Sequence, residues 1–155
     1  NWANEGFTDA LGLTDQEDGE ANTQKMRESG IAANIPILEY CKDGWYLPAR
    51  NEMEAVFNAY NGGPSQSIGL KPDAIKQEEK DARAAWDKIL TDNGGDVMNV
   101  KADNTAGDSY FTSTEADDAS KVFYVRFGQW NPGLTGAKYA KSPARYVRCI
   151  RKISK

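Results

Sequence analysis

The sequence predicts an α+β domain, with helices first and an antiparallel meander after them. Two observations carry this. In the first part of the chain apolar residues recur at helical spacing, most clearly Met53, Val56, Phe57 and Tyr60 at offsets 0, 3, 4 and 7. From residue 108 the period changes to two, with Tyr110, Thr112 and Thr114 alternating with Phe111 and Ser113. At 155 residues the chain fits one domain, so residues 1–155 are read as a single unit with one sizeable core.

Taken in order, residues 1–19 read as loops or one short strand, anchored by Trp2 and Phe7. Residues 20–29 form a short helix that Gly30 stops. Asn34 then suits an N-cap and Pro36 the first turn of a helix running to about Cys41 and broken by Gly44. Trp45-Tyr46-Leu47-Pro48 is extended, because the residue before a proline avoids the helical region. The Met53–Tyr60 stripe follows, with Glu52 placed to close a capping box for which Ala49 lacks the hydroxyl. Asn61-Gly62-Gly63-Pro64 ends that helix.

Residues 72–92 form a longer amphipathic helix opened by Pro72. Its expected buried stripe is Ile75, Ala82, Trp86, Ile89 and Leu90, with Glu79 and Arg83 as an i,i+4 pair, and Asn93-Gly94-Gly95 stops it. In the second half, residues 121–127 read as a strand with Val122, Tyr124 and Arg126 on one face and Phe123, Val125 and Phe127 on the other. Residues 128–133 make a turn, 134–139 a weaker strand, and 145–152 the last strand.

Composition excludes several chemistries. The chain has no histidine, which removes Ser-His-Asp and Cys-His mechanisms and histidine metal ligands. Two cysteines alone do not build a structural zinc site, and the acidic stretches 15–20 and 92–108 miss the EF-hand spacing, so no metal and no cofactor are expected. No apolar run approaches the ~20 residues of a membrane helix, so no membrane insertion is expected. The chain starts at Asn1 without an initiator Met, the expectation for a processed product or an excised fragment. Residues 121–155 hold nine Lys or Arg and no acid, whereas residues 1–120 hold ten basic and twenty-three acidic residues. The basic end either neutralises the acidic body or meets an anionic partner. Without a stacking platform in a basic groove, and with a pI near 4.9, nucleic acid is not an expected partner. Cys41 and Cys149 read from spacing as two buried thiols or as a disulfide.

An ordered set of segments resembles a known family. It comprises Asp18-Gly19-Glu20-Ala21-Asn22-Thr23, Cys41, Gly44-Trp45-Tyr46-Leu47-Pro48 with Arg50-Asn51-Glu52-Met53, Tyr110 to Glu115, Phe127-Gly128, and Val147-Arg148-Cys149-Ile150-Arg151. Together they resemble the bacterial C-type-lectin-like domains of collagen-like adhesins and fimbrial or surface proteins. More distantly, the chain is similar to formylglycine-generating-enzyme relatives and retroelement variable proteins. The resemblance implies two helices on a small twisted antiparallel sheet with the termini brought together, and a Cys41–Cys149 disulfide. It implies structural roles for Trp45, Leu47, Pro48 and Arg148, and marks 64–107 as an insertion carrying an extra helix. No Glu-Pro-Asn or Trp-Asn-Asp triplet of the calcium-dependent sugar lectins is present.

The functional expectation is a secreted or cell-surface, non-catalytic, adhesin-like module. The ligand-binding residues are expected in its late loops: Arg126, Gln129, Trp130, Asn131, Lys138, Tyr139, Lys141 and Arg145. Aromatic and arginine side chains there supply contact area and directed hydrogen bonds, for a host surface protein or an anionic glycan. The alternative for Trp130 and Tyr139 is an inward role completing the core of the small sheet, and for Trp130 the two readings weigh equally. The alternative is an assembly domain of a pilus or phage fibre, docking on a neighbouring subunit through the insertion and Trp86.

Overall fold

Helix α1 (Gly19–Glu28) begins where the Asp18 carboxylate accepts the backbone N–H of Ala21, satisfying one of the free donors of the first turn. A computed structural model provides the coordinates. It describes residues 1–64, 75–98, 100, 109–128 and 138–153, with the backbone alone for Lys138 and Tyr139. Among the described residues the order is α1, two short 3-10 turns at Ala32–Asn34 and Pro36–Glu39, α2 (Arg50–Tyr60), α3 (Gln77–Asp92), then β1 (Ser109–Glu115), β2 (Lys121–Arg126) and β3 (Lys138–Ala140). The class is α+β.

The helix expected from Asn34 to Cys41 is instead this pair of 3-10 turns, capped by Ile35 and not by Asn34. Two turns of three and four residues are too short for α-helical hydrogen bonding to propagate. Ile35, Ile37 and Leu38 are nevertheless buried.

Glu52 does at the start of α2 what its spacing predicts, and more. One carboxylate oxygen accepts Ala49 N–H at 2.8 Å and Gly19 N–H at 2.9 Å, and the other accepts the Tyr46 hydroxyl. The starts of α1 and α2 are thus joined by one side chain. Gly19 must be glycine for this approach, because a Cβ there would sit 2.4 Å from Ala49 N and Leu47 O. Burial, then the Glu52 charge, pushes the Tyr46 phenol up to about 12.

Three strands form an antiparallel sheet in the order β1-β2-β3, with Tyr110 opposite Val125, Phe111 opposite Tyr124 and Phe123 opposite Lys138. The register shifts between Phe111 and Glu115, and within that stretch the Trp2 indole donates to the Thr112 carbonyl at 3.0 Å. The alternation read from the sequence is present, but both faces are covered. Phe111 and Val122 join a core with Trp2, Leu13, Met26, Ile37, Cys41 and Leu47. Tyr110, Val125 and Phe127, of opposite parity, join a second core with Met53, Phe57, Tyr60 and Met98. Phe127 is its centre, with ring centroids of Phe57 at 5.3 Å and Tyr110 at 5.0 Å, edge to face.

The last segment is not the continuous strand expected over 145–152. It attaches at two isolated bridges with different partners, Tyr110 to Tyr146 and Tyr46 to Ile150, so no single neighbour carries a ladder along it. Between those bridges Cys149 is bonded to Cys41, with Cα atoms 5.5 Å apart. The disulfide implied by the resemblance is therefore present, and both sulfurs are consumed by it.

Helix α3 also departs from expectation. It begins at Gln77, not at Pro72: Lys76 is its extended N-cap and Ile75 is also outside it, while Pro72 itself lies outside the described residues. Its buried side chains are Glu79 and Arg83, whereas Trp86 is 39% and Ile89 52% exposed. Polar docking sets this orientation. Arg83 donates to the Asn61 side-chain oxygen and to the Phe127 carbonyl, both at 2.6 Å, with its guanidinium over the Tyr60 ring. Leu90 lies partly buried against the second core.

The cross-link closes a separation of 108 residues, so it removes much freedom from the unfolded chain. Reduction, or a Cys41→Ala/Cys149→Ala double substitution, is expected to lower unfolding free energy by roughly 2–5 kcal/mol, read by denaturant titration with and without reductant. A change within error would mean the fold does not depend on the link.

Candidate functional site

The expected ligand-binding residues fall at the far end of β2 and along the chain that returns from it. β2 leads into Phe127, which is fully buried, and β3 returns beside β2, so the connection leaves from and re-enters the same sheet. Gln129, Trp130 and Asn131 lie outside the described residues. Lys138 and Tyr139 are on β3, the outer strand of the sheet. Arg126 closes β2 and is half-buried. Arg145 is half-buried and donates to the adjacent Ala144 carbonyl.

Lys141 is a correction. It was expected to contact ligand, but it is 1% exposed. Its ammonium donates to a Glu115 carboxylate oxygen at 2.5 Å and to the Asp9 carbonyl at 3.1 Å, and lies over the Trp2 and Phe7 rings. Its own carbonyl accepts the N–H groups of Trp2 and Ala3. A buried ammonium persists only with such compensation, and here every neighbour supplies some.

Glu115, at the end of β1, is a residue that sequence reasoning missed. Its carboxylate accepts Leu11 N–H and Leu13 N–H as well as Lys141, at 2.5–3.1 Å. Burial alone pushes this carboxyl up. The hydrogen bonds from Lys141, Leu11 and Leu13 outweigh it and hold the group below its ordinary range. No spacing rule announces a pair 26 positions apart; the only signal was an acid ending an otherwise uncharged strand.

The residues assigned structural roles divide. Leu47 and Pro48 are buried, with Leu47 N–H donating to the Thr23 hydroxyl and Pro48 carbonyl accepting Ser113 N–H. Trp45 is 40% exposed, outside both cores, with the Arg151 guanidinium 4.9 Å from its ring centroid. Arg148 donates to the Asp96 and Val97 carbonyls, tying the last segment to the chain that follows α3.

Beside Arg148 opens an apolar groove of about 220 Å³ between α2 and α3, lined by Val56, Ala59, Tyr60, Trp86, Leu90 and Met98. The Tyr60 hydroxyl donates to Asp87. Burial, reinforced by that carboxylate, pushes the phenol well above its ordinary range, so it remains a neutral donor.

Among the described residues no group of three or more acids or cysteines is arranged to hold a metal ion, and no helix is long and apolar enough to cross a membrane. Comparison with protein families, characterised proteins and solved structures finds no match.

The Glu115 carboxyl binds a proton less readily folded than unfolded, so its stabilisation is present above the ordinary carboxylate range and is lost as pH falls through its folded value. Lys141→Met is expected to cost about 3–5 kcal/mol at neutral pH, because it leaves a buried carboxylate without its cation. Glu115→Gln is expected to flatten the acid limb of the stability–pH curve. An unchanged acid limb in Glu115→Gln would remove Glu115 from acid unfolding.

Proposed function

We propose that this chain is a non-catalytic ligand-binding module of a secreted or surface protein, built on a C-type-lectin-like scaffold. It presents the connection between β2 and β3, carrying Gln129, Trp130 and Asn131, to a host surface protein or an anionic glycan. The observation that carries this reading is the anchoring of that connection at both ends. Phe127 is packed into the second core before it, and Lys141 is locked by Glu115 after it. A recognition segment fixed at its base loses less entropy on binding than a free one. The Cys41–Cys149 disulfide fits an oxidising compartment. The basic residues Arg126, Lys138 and Arg145 suit an anionic partner.

The test is a glycan and protein array probed with the native chain and with a Trp130→Ala/Lys138→Ala variant, which spares the buried Lys141. Binding is expected to be lost in the variant, and binding to a polyanion is expected to weaken steeply with added salt. Retained binding in the variant places the site elsewhere.

A second reading, an assembly domain that docks on a neighbouring subunit of a pilus or fibre, is favoured by the apolar groove and the exposure of Trp86 on its wall. Trp86→Glu is expected to reduce a self-associated mass, measured by light scattering, to that of a single chain. A native chain that is already monomeric at high concentration removes self-docking through this groove.

A further inference from the structure

At the opposite end of β2 from the proposed recognition connection lies a second concavity, of about 500 Å³. It is bounded by the N-terminal segment 10–16, the first residue of α2 and the turn between β1 and β2. Small side chains leave it open: Ala10, Gly12, Ala116 and Ala119 line its walls. At its base the Arg50 guanidinium stacks on the Phe123 ring, 4.3 Å from the centroid.

Stacking holds a guanidinium flat and aims its N–H donors sideways in the plane. Those donors are nearly unused. Nη1 meets Gln16 Oε1 at 3.4 Å, the limit of a hydrogen bond, and Nε, itself buried, has no partner. A buried Nε is closed to a ligand as it is to water, so contact with an anion falls to the terminal Nη groups. Of the two acids that line the cleft, Glu115 is neutralised by Lys141, and Asp117 is the charge that an anion must avoid. Thr14, Gln16 and Asp117 also line the cleft, and their hydroxyl, amide and carboxylate groups exchange hydrogen bonds with alcohols.

We propose that this cleft binds an acidic sugar, its carboxylate taken by the terminal Nη donors of Arg50 and its hydroxyls by Thr14, Gln16 and Asp117. The Arg50 cation favours an anionic group, and the polar lining favours alcohols. The site is separate from the connection between β2 and β3 and does not depend on the function proposed for that connection.

The test is a titration of the isotopically labelled full chain with galacturonate, followed by the Arg50 Nε–H resonance and the amides of Gly12, Ala116 and Ala119. Saturable shifts confined to these positions are expected. Arg50→Gln is expected to weaken binding by roughly ten- to a hundredfold, the loss of a charge-assisted hydrogen bond. Ala10→Glu, a change at an exposed residue on the wall, is expected to abolish it while leaving Arg50 in place. Equal shifts with glucose would overturn the role of Arg50, and equal shifts with inorganic sulfate would reduce the site to simple ion attraction. Absence of saturable shifts, or unchanged affinity in a folded Arg50→Gln chain, overturns the proposal.

Discussion

The carboxylate of Glu115 is the constraint on which the rest of the structure depends. It sits at the end of β1, 7% exposed, and draws donors from two distant stretches of chain: Leu11 and Leu13 before α1, and Lys141 after β3. Lys141 in turn receives Trp2 and Ala3 on its carbonyl. A buried charge tolerates no vacancy among its partners, so each of these segments is held as strictly as the charge is buried. The pair itself adds little net stability over an apolar substitute, and what it contributes is definition. It decides that the N-terminal segment lies across the sheet, and that Trp2 enters the first core.

A sheet this small is stabilised by packing on both faces of its first strand. β1 is buried at all seven positions, with α1 and the 3-10 turns on the side of Phe111 and α2 on the side of Val125. Three strands alone would bury too little, and the two cores supply the rest. The disulfide adds its constraint at the edge of the first core, where Cys149 packs partly buried and Cys41 fully so. Along β2, Val122 packs in the first core and Val125 in the second. One end holds the base of the connection carrying Trp130; the other carries the Arg50 cleft beside the β1–β2 turn. The two places proposed for recognition thus lie at opposite ends of one strand.

Legibility in the sequence followed the range of the forces involved. The α2 stripe and the Glu52 cap were readable because they act within one or two helical turns. The meander was readable because alternation is a local property of extended chain. Where the deciding partner was distant, reading failed. Arg83 turned α3 toward Asn61 and the Phe127 carbonyl, 44 residues on, and so left Trp86 and Ile89 at the surface. Lys141 looked like a surface cation among other surface cations until Glu115 and Trp2 surrounded it. The disulfide was legible only through resemblance, since spacing by itself was equally compatible with two thiols.

By itself the sequence determined the class, the positions of its principal helices and strands, and the absence of histidine chemistry. These follow from periodicity and composition, which no folding event alters. Tertiary structure alone decided which charges are buried as structural partners. The same lysine is a ligand contact when solvated and a clasp when buried, and its desolvation depends on chain more than a hundred residues away.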